Sequence, residues 1–100
     1  MSTLHTLNAS AREQAALLQR LLRCASTGDS LLLIENGAYN LTDADTLNTV
    51  KAAGLTIYCL QADALARGLK HAELAGVQTV DDNQFVALAC SHQKVISWFV

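Results

Sequence analysis

The sequence predicts an α/β fold in which helices cover both faces of a mainly parallel, five-stranded sheet. Three observations predict it. Segments with strand and helix periodicity alternate along the whole chain, the connections are short, and the apolar run 31–34 is typical of a strand buried on both sides. Parallel strands need crossover connections, which cover the faces of the sheet. With 100 residues, 51% of them hydrophobic, the chain is predicted to form one domain over residues 1–100.

A strand and a helix are predicted at the start of the chain. Residues 3–7 alternate polar and apolar side chains, which is the period of a strand. Ser10 and Glu13 then have the spacing of a capping box, in which the two side chains satisfy free amide groups of the first turn. The helix that follows has an apolar face and ends at Gly28.

The remaining elements continue the alternation of strands and helices. In chain order we predict a strand over 30–34, a turn over 35–37, a helix from Thr42 or Asp43 to Ala53, a strand over 55–60, a helix over 62–67, a strand over 77–80, a helix capped by Asp81 and a strand over 94–100. Ligands of such folds bind beyond the carboxyl ends of the strands, so we expect any site there.

Charge and hydropathy exclude several classes of protein. Seven Lys and Arg against nine Asp and Glu give a net charge of −2, which excludes a strongly basic, autonomous nucleic-acid binder. Arg12, Arg20 and Arg23 on the first predicted helix form a stripe that is either a weak RNA contact or a solvated face. The longest aliphatic run, 31–34, is too short to span a membrane, and no apolar leader is present, so we expect a cytoplasmic location.

The three cysteines indicate a reducing compartment, because their number is odd and no CxxC pair is present. Cys24 and Cys90 are predicted to pack along the apolar faces of their helices. Cys59 ends the third strand just before a helix, where a thiol can have a lowered pKa and act as a nucleophile. Its alternation with Ile57 favours burial instead, so it is only a weak catalytic candidate.

No motif predicts a cofactor or a metal. Neither a GxGxxG loop nor a GxxxxGK[ST] loop is present, and the histidines have none of the zinc-ligand spacings, so we expect neither group. Glu35-Asn36-Gly37 either contacts a ligand at a strand end or only forms a turn. His5 either moves protons or has a structural role, and the second reading is favoured because no acid or nucleophile stands at a recognisable spacing.

Several short stretches together resemble the DsrH/TusB family. They are, in order, Leu4-His-Thr-Leu7, Leu31-Leu-Leu-Ile-Glu-Asn-Gly37, Leu60-Gln-Ala-Asp-Ala-Leu-Ala-Arg-Gly-Leu69 and Asp82-Asn-Gln-Phe-Val-Ala-Leu88, followed by His92 and Ser97-Trp98. The resemblance covers nearly the whole chain, and its specificity lies in order and spacing. It implies a three-layer α/β/α sandwich of the DsrE/DsrF/DsrH type. It also implies sulfur relay in the cytoplasm, in a complex with TusC-like and TusD-like subunits.

The sulfur-carrying cysteine of the sister subunits does not carry over. By the resemblance it stands eight residues before the glycine of an Arg-Gly helix end, and here that position is Leu60. Cys59 is the neighbouring residue and would point to the opposite face of its strand. DsrH-type members have a cysteine in the first helix, where counting reaches Arg20 or Leu21, and Cys24 comes too late.

These departures favour a non-catalytic subunit of a TusBCD-like sulfurtransferase complex, which serves 2-thiolation of the wobble uridine in tRNA and contacts tRNA only through the complex. One alternative is a persulfide carrier that uses Cys59, as in DsrH-like sulfur oxidation. A second alternative is a stand-alone flavodoxin-like module that binds a small ligand. The apolar ending 95–100 predicts an interface with a partner subunit, for which Trp98 and Phe99 are the candidate residues.

Overall fold

The sheet of this protein has five strands in the order β4-β3-β2-β1-β5, and every neighbouring pair is parallel. A computed structural model describes residues 2–69 and 75–100. The strands are β1 (Thr3–Leu7), β2 (Ser30–Leu33), β3 (Thr56–Leu60), β4 (Gln78–Val80) and β5 (Lys94–Trp98). The helices are α1 (Ala15–Cys24), α2 (Ala44–Ala52), α3 (Gln61–Ala66) and α4 (Asp82–Ser91), with a 3-10 helix (Glu35–Thr42) before α2. The predicted α/β fold is confirmed.

The helices cover the two faces of the sheet unequally. Leu21 of α1, Val50 of α2 and Ala64 of α3 belong to the main core cluster on one face. Phe85 and Leu88 of α4 pack on the second cluster, on the other face. This division follows from right-handed crossovers, because the chain steps from β1 to β4 in one direction and then returns across the sheet to β5. No helix in residues 2–69 and 75–100 is long and apolar enough to cross a membrane.

The central strand β2 is buried on both sides, as its continuous apolar run predicted. Leu31 and Leu33 pack in the main cluster, and Leu32 packs in the second. All three side chains are at most 1% exposed. Burying an aliphatic side chain of this size contributes about 1.5–3 kcal/mol, so this strand holds the two layers of helices on one sheet.

The predicted start of α1 is wrong. The helix begins at Ala15, and its N-cap residue, Gln14, makes no capping hydrogen bond with its side chain. The Ser10 hydroxyl does accept from the backbone N–H of Glu13, at 3.3 Å, but this bond closes a turn before the helix. Arg12 therefore lies outside α1, where its Nη2 donates to the carbonyl of Thr42 at 3.1 Å. The three arginines of the predicted stripe do not share one helix face.

The segment 35–37 is not a simple turn, because it begins the 3-10 helix that continues to Thr42. The residue with a positive φ is Glu35, at 50°, and not Asn36 or Gly37. Gly37 is needed for a different reason, since a Cβ atom there would lie 2.1 Å from the carbonyl oxygen of Leu7. The carboxyl end of β1 and the loop after β2 are therefore in direct backbone contact.

Two predicted caps are present. The Asp43 side chain accepts from the backbone N–H of Thr46 at the start of α2. Asp81 and Gln84 form a reciprocal capping box at the start of α4. The last strand is shorter than predicted, since β5 ends at Trp98.

Candidate functional site

The carboxyl ends of the five parallel strands share one edge of the sheet, where a side-chain network joins the loop after β2 to α3. The Arg67 guanidinium donates from Nε and Nη2 to Oδ1 of Asn36, at 3.1 and 2.9 Å. Its Nη1 donates to the carbonyl of Asp63 at 3.1 Å, and its Cζ lies 5.7 Å from the centre of the Tyr39 ring. Asp63 Oδ2 accepts from the backbone N–H of Glu35 at 2.6 Å. The network therefore fixes the Glu35 backbone in its left-handed conformation.

Cys59 lies beneath this network and is completely buried. Burial raises the pKa of its thiol to about 11, and the negative charge of Asp63 adds to that increase, while Arg67 acts in the opposite direction. The thiol donates a weak hydrogen bond to the carbonyl of Leu60, with the two atoms 3.7 Å apart. The predicted burial of Cys59 is confirmed. A sulfur acceptor has to be reachable and ionised, and in this structure Cys59 is neither.

Leu60, at the position where the resemblance puts the carrier cysteine, points to the other face of the sheet. It packs in the second cluster, with α4, whereas Cys59 belongs to the main cluster. Cys59 and Leu60 therefore face opposite sides of the sheet, as the alternation of side chains along a strand predicted. A side chain without sulfur occupies this position, and the neighbouring sulfur faces away from it.

The predicted packing of the other two cysteines is wrong, since both are exposed. Cys24 ends α1 at the margin of the face whose buried centre is Leu18 and Leu21. Cys90 lies four residues after Val86, which is 61% exposed, so both are on the outer side of α4. Helix periodicity identified the buried face of α1 correctly, but neither cysteine belongs to a buried face.

His5 is held in the core by partners on both sides, which accords with the structural role favoured for it. Its Nε2 lies 2.9 Å from Oδ2 of Asp29, and the indole Nε1 of Trp98 lies 3.1 Å from its Nδ1. Because the indole can only donate, we assign the His5 proton to Nε2, which donates to Asp29. The imidazole is completely buried. It joins β1 to β5 through Trp98 and to the loop before β2 through Asp29.

Asp29 accepts hydrogen bonds at both carboxylate oxygens. Burial opposes ionisation of the group, but hydrogen bonds from the backbone N–H of Ser26, from His5 and from the backbone N–H of Thr3 outweigh it and lower the pKa of Asp29 below its ordinary value. No periodicity signal could have identified this residue, because it precedes β2 in a loop. Its role follows only from the pairing of β1 with β2.

The two aromatic residues proposed from the sequence for an interface have different environments. Trp98 is partly buried against the main cluster. Phe99 is 69% exposed and Val100 is 71% exposed.

Across residues 2–69 and 75–100 no three His, Cys, Asp or Glu side chains are grouped as a metal site would need.

Comparison with known proteins decides the family. The family described as DsrH like protein matches residues 10–95. The chain belongs to this family. A protein named TusB from Pectobacterium parmentieri is 33% identical over 96 residues, which cover 95% of this chain and 99% of that protein. A protein of the same name from Shigella flexneri is 35% identical over 79 residues, covering 78% and 83% of the two chains. The resemblance noted from the sequence, to a family of sulfur-relay subunits, is confirmed.

A solved structure supports the fold. The crystal structure of the ychN protein from E. coli aligns with a TM-score of 0.68 and covers 97% of both chains. Only 12% of the aligned residues are identical, so this similarity concerns the architecture alone. It agrees with the three-layer arrangement that the resemblance implied, with α1 to α3 on one face and α4 on the other.

Proposed function

We propose that this protein is a non-catalytic subunit of a TusBCD-like sulfurtransferase complex, which passes persulfide sulfur toward 2-thiolation of the wobble uridine in tRNA. The similarity to proteins named TusB over 95% of the chain supports the complex. The observation that carries the non-catalytic role is at the carboxyl end of β3. Leu60 occupies the position of the carrier cysteine there, and Cys59 is a buried thiol with a raised pKa. Since tRNA is the final acceptor, the proposal places the protein in the cytoplasm.

The TusC-like and TusD-like partners would provide the sulfur chemistry and the contact with tRNA. This protein would complete the assembly through its surface. Its last residues suit this role, because Phe99 and Val100 expose apolar area that an isolated subunit would leave in water. We assign the interface to the segment that contains Trp98 and Phe99, with Trp98 directed inward as a support and Phe99 directed outward as the contact.

The alternative is a persulfide carrier that uses Cys59. One observation favours it, since the Arg67 guanidinium is near enough to lower the pKa of this thiol. Burial outweighs that effect in the present conformation. If Cys59 carried sulfur, the edge of the sheet would have to open before a partner could reach its thiol. The hydrogen bonds of Arg67 with Asn36 would have to break in that opening.

The proposal is tested by assembly and by complementation. The chain is co-expressed with the TusC-like and TusD-like subunits encoded in its own genome, and the purified complex is weighed by native mass spectrometry. In cells that lack the native copy, 2-thiouridine in tRNA is then quantified with and without the gene. We expect a stable complex and restored thiolation. Failure to associate with either subunit, or thiolation independent of the gene, would show that the proposal is wrong.

A further inference from the structure

The order of the strands creates a switch point between β1 and β5. The helix that follows β1 packs on one face of the sheet, and the helix that precedes β5 packs on the other. In parallel sheets such a point leaves a crevice beyond the carboxyl ends of the two strands, where ligands bind. The structure has an open groove of about 410 Å³ there, and Thr6, Asn8, Glu35, Ser97 and Phe99 line it. We call it the switch-point groove.

Thr6 is the unusual residue of this groove. It is only 4% exposed, yet its hydroxyl takes part in no hydrogen bond with the residues that the structure describes. Every fully enclosed polar side-chain atom of those residues has a partner, so the unbonded Thr6 hydroxyl is not fully enclosed, and the groove that Thr6 lines is the open space beside it. Ser97 is paired with Thr6 across β1 and β5 and shares its face of the sheet. A ligand that fills the groove and excludes water has to replace the hydrogen bonds that this hydroxyl can make with water, so a ligand that bonds with it is favoured.

Glu35 gives the groove its charge. It is the one ionisable side chain in the lining, and its carboxylate forms no ion pair within residues 2–69 and 75–100. Among residues 2–69 and 75–100, the surrounding edge of the sheet is also acidic, since α2, α3 and α4 begin there and carry aspartate in their first turns. Its other acidic side chains are Glu13, Asp43, Asp45, Asp63, Asp81 and Asp82, and its basic ones are Arg12 and Arg67. Both arginines already contact this protein's own loops.

We propose that the switch-point groove receives a cationic side chain, arginine or lysine, from another subunit of the complex. The inference rests on the proposed function for the identity of its partner. The Glu35 carboxylate pairs with the cation, the Thr6 and Ser97 hydroxyls accept its N–H groups, and the exposed Phe99 ring covers its apolar stem or its charge. The groove lies beside Phe99, so the ion pair and the apolar contact belong to one interface.

Two substitutions test the groove within the assembled complex. Glu35→Gln removes the charge at nearly constant shape, and Thr6→Val removes the hydroxyl. The matched control is Glu13→Gln, an exposed acidic residue of the same edge that does not line the groove. Affinity for the TusC-like and TusD-like subunits is measured by calorimetry at about 0.15 M salt and at higher salt.

We expect each groove variant to weaken assembly about tenfold, and Glu35→Gln to reduce its salt dependence, while the control stays within about twofold of the wild type. Thr6→Val should unfold at the wild-type temperature or higher, which separates a role in binding from a role in folding. If the wild-type chain assembles and both variants assemble equally well, the groove proposal is wrong and the proposed function stands. If the wild-type chain does not assemble at all, the proposed function is wrong, and the groove proposal is overturned with it.

Discussion

The indole Nε1 of Trp98 donates a hydrogen bond to Nδ1 of His5 across 3.1 Å, and this contact joins the side chains of the edge strand β5 and its neighbour β1. The two rings are also stacked, with centroids 6.3 Å apart and an angle of 28° between their planes. Since His5 is completely buried, its Nδ1 has no water to replace a lost donor. Trp98 therefore contributes to the folding of the subunit before it contributes to any interface.

Trp98→Phe is expected to lower the free energy of unfolding by about 1–3 kcal/mol, because it leaves His5 Nδ1 buried without a partner. Phe99→Ser is the matched control in the adjacent residue, and the exposure of Phe99 predicts a change below about 0.5 kcal/mol. Urea denaturation of both variants measures the difference. Equal stability of the two would contradict the inward role of Trp98, and loss of stability in Phe99→Ser would contradict the outward role of Phe99.

Asp29→Asn is expected to destabilise the protein by about 3 kcal/mol near neutral pH, because an amide cannot accept all the hydrogen bonds that the two carboxylate oxygens now accept. The pKa of Asp29 is lowered in the folded state, so the carboxylate stabilises the fold fully above its ordinary value of 3.8. That stabilisation is lost as the pH falls through the lower, folded-state pKa.

The difference in stability between the wild type and Asp29→Asn should therefore shrink as the pH falls below about 4, which denaturation at several pH values measures. Glu13→Gln, an exposed acidic variant, should show no such difference at any pH. If the difference in free energy of unfolding between the wild type and Asp29→Asn stays constant down to the lowest pH, Asp29 acts through its shape and not through its charge.

The sequence was sufficient for the fold class because the signals that decide it are local. The burial of Leu31 to Leu33 on both faces and the cap at Asp43 both follow from short-range patterns. The start of α1 was misplaced because a serine and a glutamate three residues apart can close a lone turn as well as cap a helix. The order of the strands is set by long-range pairing, which no segment of the sequence records.

The site was less predictable for the same reason. The burial of Cys59 could be predicted from its strand, since its alternation with Ile57 places both side chains in the main cluster. The contacts of Arg67 with Asn36 and of His5 with Asp29 join residues 24 or more positions apart. The position of the Thr6 hydroxyl beside Ser97 follows from the pairing of β5 with β1, which no local pattern in the sequence predicts.

Alkylation should separate the three thiols. Alkylation requires a thiol that the reagent can reach and that is ionised, and Cys24 and Cys90 are exposed. At about pH 8, a thiol with a pKa of about 11 is about one thousandth ionised. Iodoacetamide should therefore label the exposed Cys24 and Cys90 at least about a hundredfold faster than Cys59 in the folded protein, as read by peptide mass spectrometry. Comparable labelling of all three would show that the edge above Cys59 opens readily and would favour the carrier alternative.

The isolated protein should not bind tRNA at physiological salt. Its net charge is −2, and Arg12 is engaged with the loop at Thr42, so few phosphates could be neutralised. Fluorescence anisotropy with labelled tRNA at about 0.15 M salt should show no binding at micromolar protein concentration. The assembled complex is the positive control, because its partners would supply the charge. Binding by the isolated chain with micromolar affinity would contradict the expectation.

Removing every thiol should leave sulfur transfer intact. The variant combines Cys24→Ser and Cys90→Ser, which are exposed, with Cys59→Ala, which avoids burying a hydroxyl in the core. Because Leu60 occupies the carrier position and the nearby thiol is buried and neutral, we expect unchanged 2-thiouridine in the tRNA of cells that carry only this variant. Assembly with the sister subunits is checked in parallel by native mass spectrometry, so that a folding defect is recognised. Loss of thiolation from a fully assembled variant complex would make this protein a sulfur carrier, and restoring Cys59 alone would then identify the residue.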